Sequence, residues 1–392
     1  RRPLHSRTLA AAASTSTSTP PLPRMDSEMG EMLPAASPLD DIDDNLLSEI
    51  LLRLPPQPSS LPRASAVCKR WHSLACNPFF CRRFRRHHRR NPPLLGIFDR
   101  NKFLSFIPTL DAPDRVPPGR FSLPYRTDRY EPCGFRHGLV VIIDLRERED
   151  YLHILVWDPI TGDQKHIYAP SEYRDGTIFR GAVLRDDREV HFRVVLAGSN
   201  KEDERVLARV YSSETGLWSN LVSIPLPSGA LIISDEHAVL VGDSLYWKFQ
   251  GSFTGILEFN LESLSLILIP TLVDKHCYSS SVVRGDGGGL GFLLVSDFTA
   301  ELWKMETNRD GVASWVLGKT IELDKLLSLN PDEHDHIFIQ GYAEENNLVF
   351  LRTVVGLFMV QLQSLKFTFM KHFGTTSFYP YHPLESVYAA GT

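Results

Sequence analysis

The stretch Ile154-Leu-Val-Trp-Asp-Pro-Ile-Thr-Gly162 reads as a strand that runs into a tight turn. Its four consecutive apolar residues suit a strand covered on both faces, and Asp-Pro followed by Gly supplies the turn chemistry. The pattern returns in Ala208-Arg-Val-Tyr-Ser-Ser-Glu-Thr-Gly216, with Trp218 just beyond, and in Gly255-Ile-Leu-Glu-Phe-Asn-Leu-Glu-Ser263. It returns again in Ala300-Glu-Leu-Trp-Lys-Met-Glu-Thr-Asn308 and Gly356-Leu-Phe-Met-Val-Gln-Leu-Gln-Ser364. The turns step along the chain by roughly 45–55 residues, a period that suits one four-stranded propeller blade.

Between these motifs lie other apolar strands, opened by Gly138-Leu-Val-Val141, Asp243-Ser-Leu-Tyr246, Gly291-Phe-Leu-Leu294 and Asn347-Leu-Val-Phe350. A four-stranded sheet cannot bury both of its faces alone, and a ring of such sheets covers them. Five turns are visible, and residues 94–125, with Leu94 to Phe98 and Phe103 to Ile107, supply a sixth blade. The prediction for residues 94–392 is therefore an all-β propeller of about six blades. A β-sandwich is the alternative, but it needs fewer strands than this stretch holds. Ring closure is expected from the last strand region, Leu365 to Phe373, pairing near the start of the domain. Around Leu323 to Leu329 a short helix is expected.

Upstream of Leu94 the period changes from strand to helix. Asp40, Asp41, Asp43 and Asp44 precede an apolar run, where carboxylates favour the positive end of a helix. At 100° per residue, Leu46, Leu47, Ile50, Leu51 and Leu54 fall within an arc of about 140°, with Leu52 on the other side beside Asn45 and Glu49. Pro55-Pro56 stops that helix. A second helix starts at Ser60, tolerates Pro62 in its first turn, and carries Ala64, Val67, Cys68, Trp71 and Ala75 at helical spacing. Asn77-Pro78 ends it and caps a third, with Phe79, Phe80 and Phe84. Three helices this short cannot bury all these side chains among themselves. The surplus is expected either to pack on the β domain or to form an exposed patch for a partner.

These residues carry a resemblance. The run from Ile42 to Pro56, the string Leu61-Pro-Arg-Ala-Ser-Ala-Val-Cys-Lys-Arg-Trp71 and the Asn77-Pro-Phe-Phe80 that follows resemble an F-box. The continuation from Arg82 to Phe98 is similar to F-box proteins of plants, grasses especially. Ile42-Asp43 stands where that family usually has Leu-Pro. The resemblance implies docking on a Skp-type adaptor and, through it, on a cullin ubiquitin ligase. Ile42, Leu46, Leu47, Ile50, Leu51, Leu54, Pro55, Val67, Cys68 and Trp71 occupy the matching apolar positions, some of them serving the module's own core.

The organisation expected is thus a disordered tail at 1–38, an F-box helical module at 39–86, a basic and proline-ended linker at 87–93, and the propeller from 94. Residues 1–24 hold four arginines, an alanine run and alternating Ser/Thr without an acidic residue. That composition fits a transit peptide, or a low-complexity tail ahead of Met25 that needs no function; the second reading is preferred.

Other signals for chemistry are weaker. The five cysteines form no C-x-x-C pair, which disfavours a disulfide framework or a cysteine zinc site. Gly285 to Gly291 lacks the Lys-Ser/Thr of a phosphate loop and reads as a hairpin turn. His334, Asp335 and His336 read as a loop rather than metal ligands, and the run Arg82 to Arg90 as a solvated basic face rather than a nucleic-acid patch on a chain of net charge −5. Trp157, Trp218, Trp247, Trp303 and Trp315 read as inter-blade packing. With no nucleophile elbow or metal motif, neither catalytic site, metal nor cofactor is expected. The leading reading is a non-enzymatic substrate-recognition subunit, cytoplasmic and/or nuclear. A ligase-independent scaffold and a propeller hydrolase or oxidase are the alternatives.

Overall fold

The computed structural model describes residues 43–100, 103–121, 123, 129–144, 152–173, 177–186, 190–200, 204–226, 230–231, 236–251, 255–271, 279–330, 336–370 and 379–388. The tail at 1–38 and its expected disorder lie outside the described residues. Packing of the backbone divides the chain into residues 1–44 and one body, Asn45–Thr392, which holds helices and sheets alike.

Helices come first: α1 (Asp44–Leu52), α2 (Ser60–Ser65), α3 (Lys69–Ala75) and α4 (Pro78–His88). The second helix expected from the sequence is two segments. Ser65 Oγ turns back to the Pro62 carbonyl at 2.7 Å, and Cys68 is extended at φ −161° and ψ 170°, so the helix restarts at Lys69. Asn77 caps α4 as read from the sequence, its Oδ1 accepting from Phe79 N at 2.8 Å and Phe80 N at 3.3 Å.

The remaining chain is a six-blade propeller. β1 (Leu94–Arg100) and β2 (Leu104–Pro108) are the middle and outer strands of blade 1. Blade 2 is β3 (Tyr130–Arg136), β4 (Leu139–Asp144), β5 (His153–Trp157) and β6 (Gln164–Tyr168). Blade 3 is β7 (Thr177–Arg185), β8 (Phe192–Asn200) and β9 (Arg205–Ser212), with β10 (Leu217–Trp218) and β11 (Val222–Pro225) both pairing β9. A small ladder of β12 (Ala230–Leu231) with β15 (Gln250–Gly251) flanks blade 4, which is β13 (Val239–Val241), β14 (Ser244–Lys248), β16 (Gly255–Asn260) and β17 (Ser265–Pro270). Blade 5 is β18 (Ser279–Arg284), β19 (Leu290–Ser296), β20 (Thr299–Thr307) and β21 (Ala313–Glu322), followed by α5 (Leu323–Leu327). Blade 6 is β22 (Phe338–Ala343), β23 (Leu348–Thr353), β24 (Gly356–Gln361) and β25 (Phe367–Met370).

Each of the five recurring turns of the sequence is the hairpin between the third and fourth strands of a blade. Each contains a residue at positive φ: Gly162, Gly216, Leu264, Gly311 and Leu365. The two leucines sit at φ 50° and 56°, which explains why those turns lack a glycine signal in the sequence. Gly285 to Gly291 joins the first two strands of blade 5, as a hairpin turn should.

Closure differs from the expectation. Leu365 to Met370 belongs to the outer part of blade 6, and the ring is closed by β26 (His382–Glu385), which pairs β1 with Phe98 opposite His382 and Gly96 opposite Leu384. The reason is geometric. A chain leaving an outer strand must cross to the axis before it can supply the next blade's innermost strand, so the closing segment follows the last outer strand.

The core is six layers, one between each pair of neighbouring blades. Side chains alternate along a strand, so successive residues serve different layers. On β8, Val194 packs into the layer shared with blade 2 and Val195 into that shared with blade 4. On β19, Phe292 faces blade 4 while Leu293 faces blade 6. The ring is completed where Leu94 and Ile97 meet Phe350 and Leu357, and where Phe98 and Leu384 meet Phe135 and Trp157. Trp157 and Trp247 lie in these layers, as expected. Trp218 and Trp315 lie on outer strands and each donates Nε1, at 2.9 Å, to a carbonyl on the preceding blade, Tyr168 O and Pro270 O respectively. Near the axis the inner strands converge: a Cβ on Gly134 would stand 2.9 Å from the Gly181 oxygen.

Candidate functional site

The helical module sorts its apolar residues into two groups. Leu47 and Leu51 point inward with Leu61, Ala64, Ala75, Phe80, Cys81 and Phe84, and form its core. Leu46 is 55% exposed, Ile50 41% and Val67 58%. Cys68 and Pro55 are exposed too, and Leu54 and Trp71 half-buried. Ile42 lies outside the described residues. Leu52, expected to face water, is buried at 3%. α1 carries leucine or isoleucine on nearly every side, so the apolar arc could not say which part turns inward; packing within the body decided it. The exposed group also contains a member the sequence reading did not select: Phe79, at the start of α4, is 75% exposed.

Arg89 holds the module to the propeller. Its guanidinium donates to Arg185 O at 2.6 Å and Asp186 O at 2.7 Å, and meets His137 Nδ1 at 3.0 Å. Burial, followed by Arg89 and other arginines, pushes the His137 pKa well below its usual value. Ser59 N donates to Asp114 Oδ1 at 3.0 Å, and Asn346 Nδ2 to Pro92 O at 3.0 Å. His88 Nε2 donates to Leu52 O at 2.9 Å, covering a carbonyl that α1 leaves open at its end.

Below this junction, polar groups fill the propeller axis. Glu344 takes both Arg136 and Arg284, with Arg136 Nε at 3.0 Å and Arg284 Nη2 at 2.7 Å, and accepts from Leu240 N at 3.0 Å. Burial raises the Glu344 pKa, but the two guanidiniums outweigh it and the net shift is downward. Beside it, Glu385 accepts from Asn346 N and Nδ2 at 2.8 and 2.7 Å, yet burial pushes its carboxyl up to about 7. Further along, His237 and His382 touch, with ring centroids 4.4 Å apart, and Phe135 stacks on His382 at 4.7 Å. Burial, then Arg136, pushes His237 down to about 3, and burial, then His237, pushes His382 down as well.

These shifts set a pH dependence. A histidine depressed in the folded state stabilises the fold above its unfolded value near 6.5, and that contribution is lost as pH falls from 6.5 toward 3. At pH 5, His237 alone costs about 2 kcal/mol. Glu385 acts in the opposite sense, because its raised value penalises the fold as pH rises from 4.5 to about 7. The part-buried position of Glu385 limits this to about 1–2 kcal/mol. Urea unfolding is expected to show a net loss of stability from pH 7 to pH 5. His237→Gln should flatten the profile and Glu385→Gln should steepen it. A profile unchanged in both variants would contradict these assignments.

No metal-ligating cluster of three or more His, Cys, Asp or Glu occurs among the described residues, and no described helix is long and apolar enough to cross a membrane. His336 is exposed with its ring against Phe338; His334 and Asp335 lie outside the described residues. Residues 145–151, 174–176, 201–203, 272–278 and 371–378 also lie outside the described residues.

Comparison with known proteins agrees with this architecture. Residues 44–87 match the F-box-like family, and residues 134–381 match the family described as F-box protein AT5G49610-like, beta-propeller. An F-box/kelch-repeat protein of Arabidopsis thaliana, At3g19410, is 22% identical over 316 residues, covering 75% of this chain and 79% of its own. Among solved structures, Kluyveromyces lactis Hsv2 is 11% identical with a TM-score of 0.31, covering 58% of this chain and 72% of its own. The WD40 domain of SCAP from fission yeast is 12% identical with a TM-score of 0.37, covering 61% and 57%. The ring of six sheets and the match over residues 134–381 lead to one conclusion: the chain belongs to the family of F-box proteins with an AT5G49610-like β-propeller.

Proposed function

We propose that the protein is the substrate-recognition subunit of a Skp–cullin–F-box ubiquitin ligase, acting in the cytoplasm and/or nucleus. The carrying observation is the sorting of the F-box. Its core is complete with Leu47, Leu51, Leu52, Phe80 and Phe84, while Leu46, Ile50 and Val67 remain exposed beside Cys68 and Pro55. Exposed apolar residues clustered on a small folded module mark a protein partner, and an F-box generally implies a Skp-type adaptor. In this reading Leu46, Ile50, Pro55, Val67 and Cys68 bury against the adaptor. Ile42, Leu54 and Trp71 flank them, and Leu47 and Leu51 support the face from behind. The propeller binds the target and raises its concentration near the ubiquitin-loading enzyme, which is tethering rather than covalent chemistry.

Ile50→Asp is expected to lower adaptor capture by more than about 100-fold, because docking would bury an unpaired carboxylate. Its own melting transition should stay near wild type, since the residue is exposed. Val190→Asp adds the same charge at an exposed apolar site on the propeller and should leave capture intact. Leu52→Asp should fail to fold, because it places the carboxylate in the core. Co-purification of wild type and variants with a recombinant Skp-type adaptor decides the matter. Undiminished capture by Ile50→Asp, or no capture by wild type, would remove the ligase reading.

A further inference from the structure

The basic run Arg82 to Arg90 contains six arginines and two histidines in nine residues. The fold uses part of it. Arg89 grips propeller carbonyls, His88 covers the end of α1, and Arg85 lines a cavity with Glu345 and Glu385. Arg83 pairs with Glu49 and donates to Ser48 Oγ at 3.4 Å. Arg82, Arg86 and Arg90 have no ion-pair partner among the described residues, and Arg86 and Arg90 are exposed. At 100° per residue, Phe79, Arg82, Arg83 and Arg86 fall on one stripe of α4 within about 100°, and Arg90 continues it just past the helix end. The opposite side of α4 is the buried one, with Phe80, Cys81 and Phe84.

Phe79 heads this stripe at 75% exposure, with the Arg82 guanidinium 4.9 Å from its ring centroid. An aromatic anchor with arginines beside it is the composition of an interface centre rather than of a solvated helix face. The stripe adjoins the exposed residues of α1. Glu49, which Arg83 contacts, lies between Leu46 and Ile50 in the sequence of that helix. We infer that the outer stripe of α4 is a second contact for the same adaptor, taking an acidic surface that borders a small apolar pocket. The inference rests on the ligase reading and adds the chemistry of the partner: the apolar pocket receives Phe79, and carboxylates meet Arg82, Arg86 and Arg90. Nucleic acid fits less well. The arginines span only about 12 Å of helix length, Glu49 interrupts the positive field, and the chain is net −5.

The test uses the full chain and an immobilised Skp-type adaptor, with association and dissociation rates followed from low to high salt. Arg82→Glu/Arg86→Glu is expected to lower the association rate about 10-fold at low salt, and the difference should shrink to about 2-fold at 0.5 M, where screening is strong. Phe79→Ala should raise the dissociation rate about 5–10-fold at every salt concentration. All three residues point away from the module core, so folding should be unaffected, and circular dichroism checks it. An Arg82→Glu/Arg86→Glu association rate equal to wild type at low salt would overturn the inference while leaving the ligase reading to Ile50→Asp. The same variant losing affinity for a single-stranded RNA oligonucleotide, with adaptor association unchanged, would assign the stripe to nucleic acid and overturn it too. Wild type that fails to bind the adaptor overturns both readings.

Discussion

Glu344→Ala is expected to destabilise the protein by about 3–5 kcal/mol, because it leaves buried cations without their counter-charge. Arg136 is buried, on the inner strand of blade 2, and Arg284 part-buried at the end of the inner strand of blade 5. Glu344 follows the inner strand of blade 6, and its carboxylate also accepts from Leu240 on blade 4, while Arg136 reaches Ala238 O at 2.6 Å. One side chain therefore joins the inner strands of four blades. Its loss is a large fraction of the 5–15 kcal/mol typical of a folded protein. The pair also predicts its own coupling. Arg136→Met in the Glu344→Ala background should cost less than Arg136→Met alone, since the charge it removes no longer has its partner. Urea midpoints of the two single variants and the double variant measure this. A Glu344→Ala cost below about 1 kcal/mol would show that solvent reaches the site and that the network carries little stability.

Removing the chain from Pro380 onward is expected to abolish cooperative folding of the propeller. The truncation deletes β26, so β1 loses its inner partner and two of the six layers lose Tyr381, Leu384 and Tyr388. It also removes Glu385, whose carboxylate holds Asn346 against the Pro92 carbonyl, and exposes a ladder edge that other chains can pair with. The expected result is loss of soluble protein, or a soluble fraction without a sharp unfolding transition. The point variant Leu384→Asp tests the same layer with the strand present, and is expected to cost several kcal/mol through a buried carboxylate. A truncated protein that melts like wild type would show that closure by β26 is dispensable. Because the F-box and the propeller share one body, held in part by Arg89, damage to either is expected to appear in a common transition.

The local grammar of the chain was legible from its residues alone. Apolar strands followed by Asp, Asn or Gly turns marked the outer hairpins of blades 2 to 5, the polar run Gln361 to Ser364 marked that of blade 6, and a Gly-Leu or Asp-Ser-Leu opening marked second strands. These signals are carried by backbone preferences that act within a few residues, such as the need for positive φ at Gly162, Gly216 and Gly311. The stop at Pro55-Pro56 and the cap at Asn77 are of the same kind. What the sequence could not settle depends on groups brought together from far apart. Leu46 and Leu47 are chemically identical neighbours, yet one is 55% exposed and the other 1%, because helix phase is set by what the helix lands against. The strand that closes the ring is four residues long and is identified only by its partner some 285 residues earlier in the chain. Arg82 and Arg89 stand in one basic run, and no local rule separates them. Arg89 meets the His137 ring of blade 2 and two carbonyls at the end of the first strand of blade 3, while Arg82 is left beside Phe79 on the outer stripe, since each guanidinium takes its role from whichever acceptors the tertiary fold places within reach.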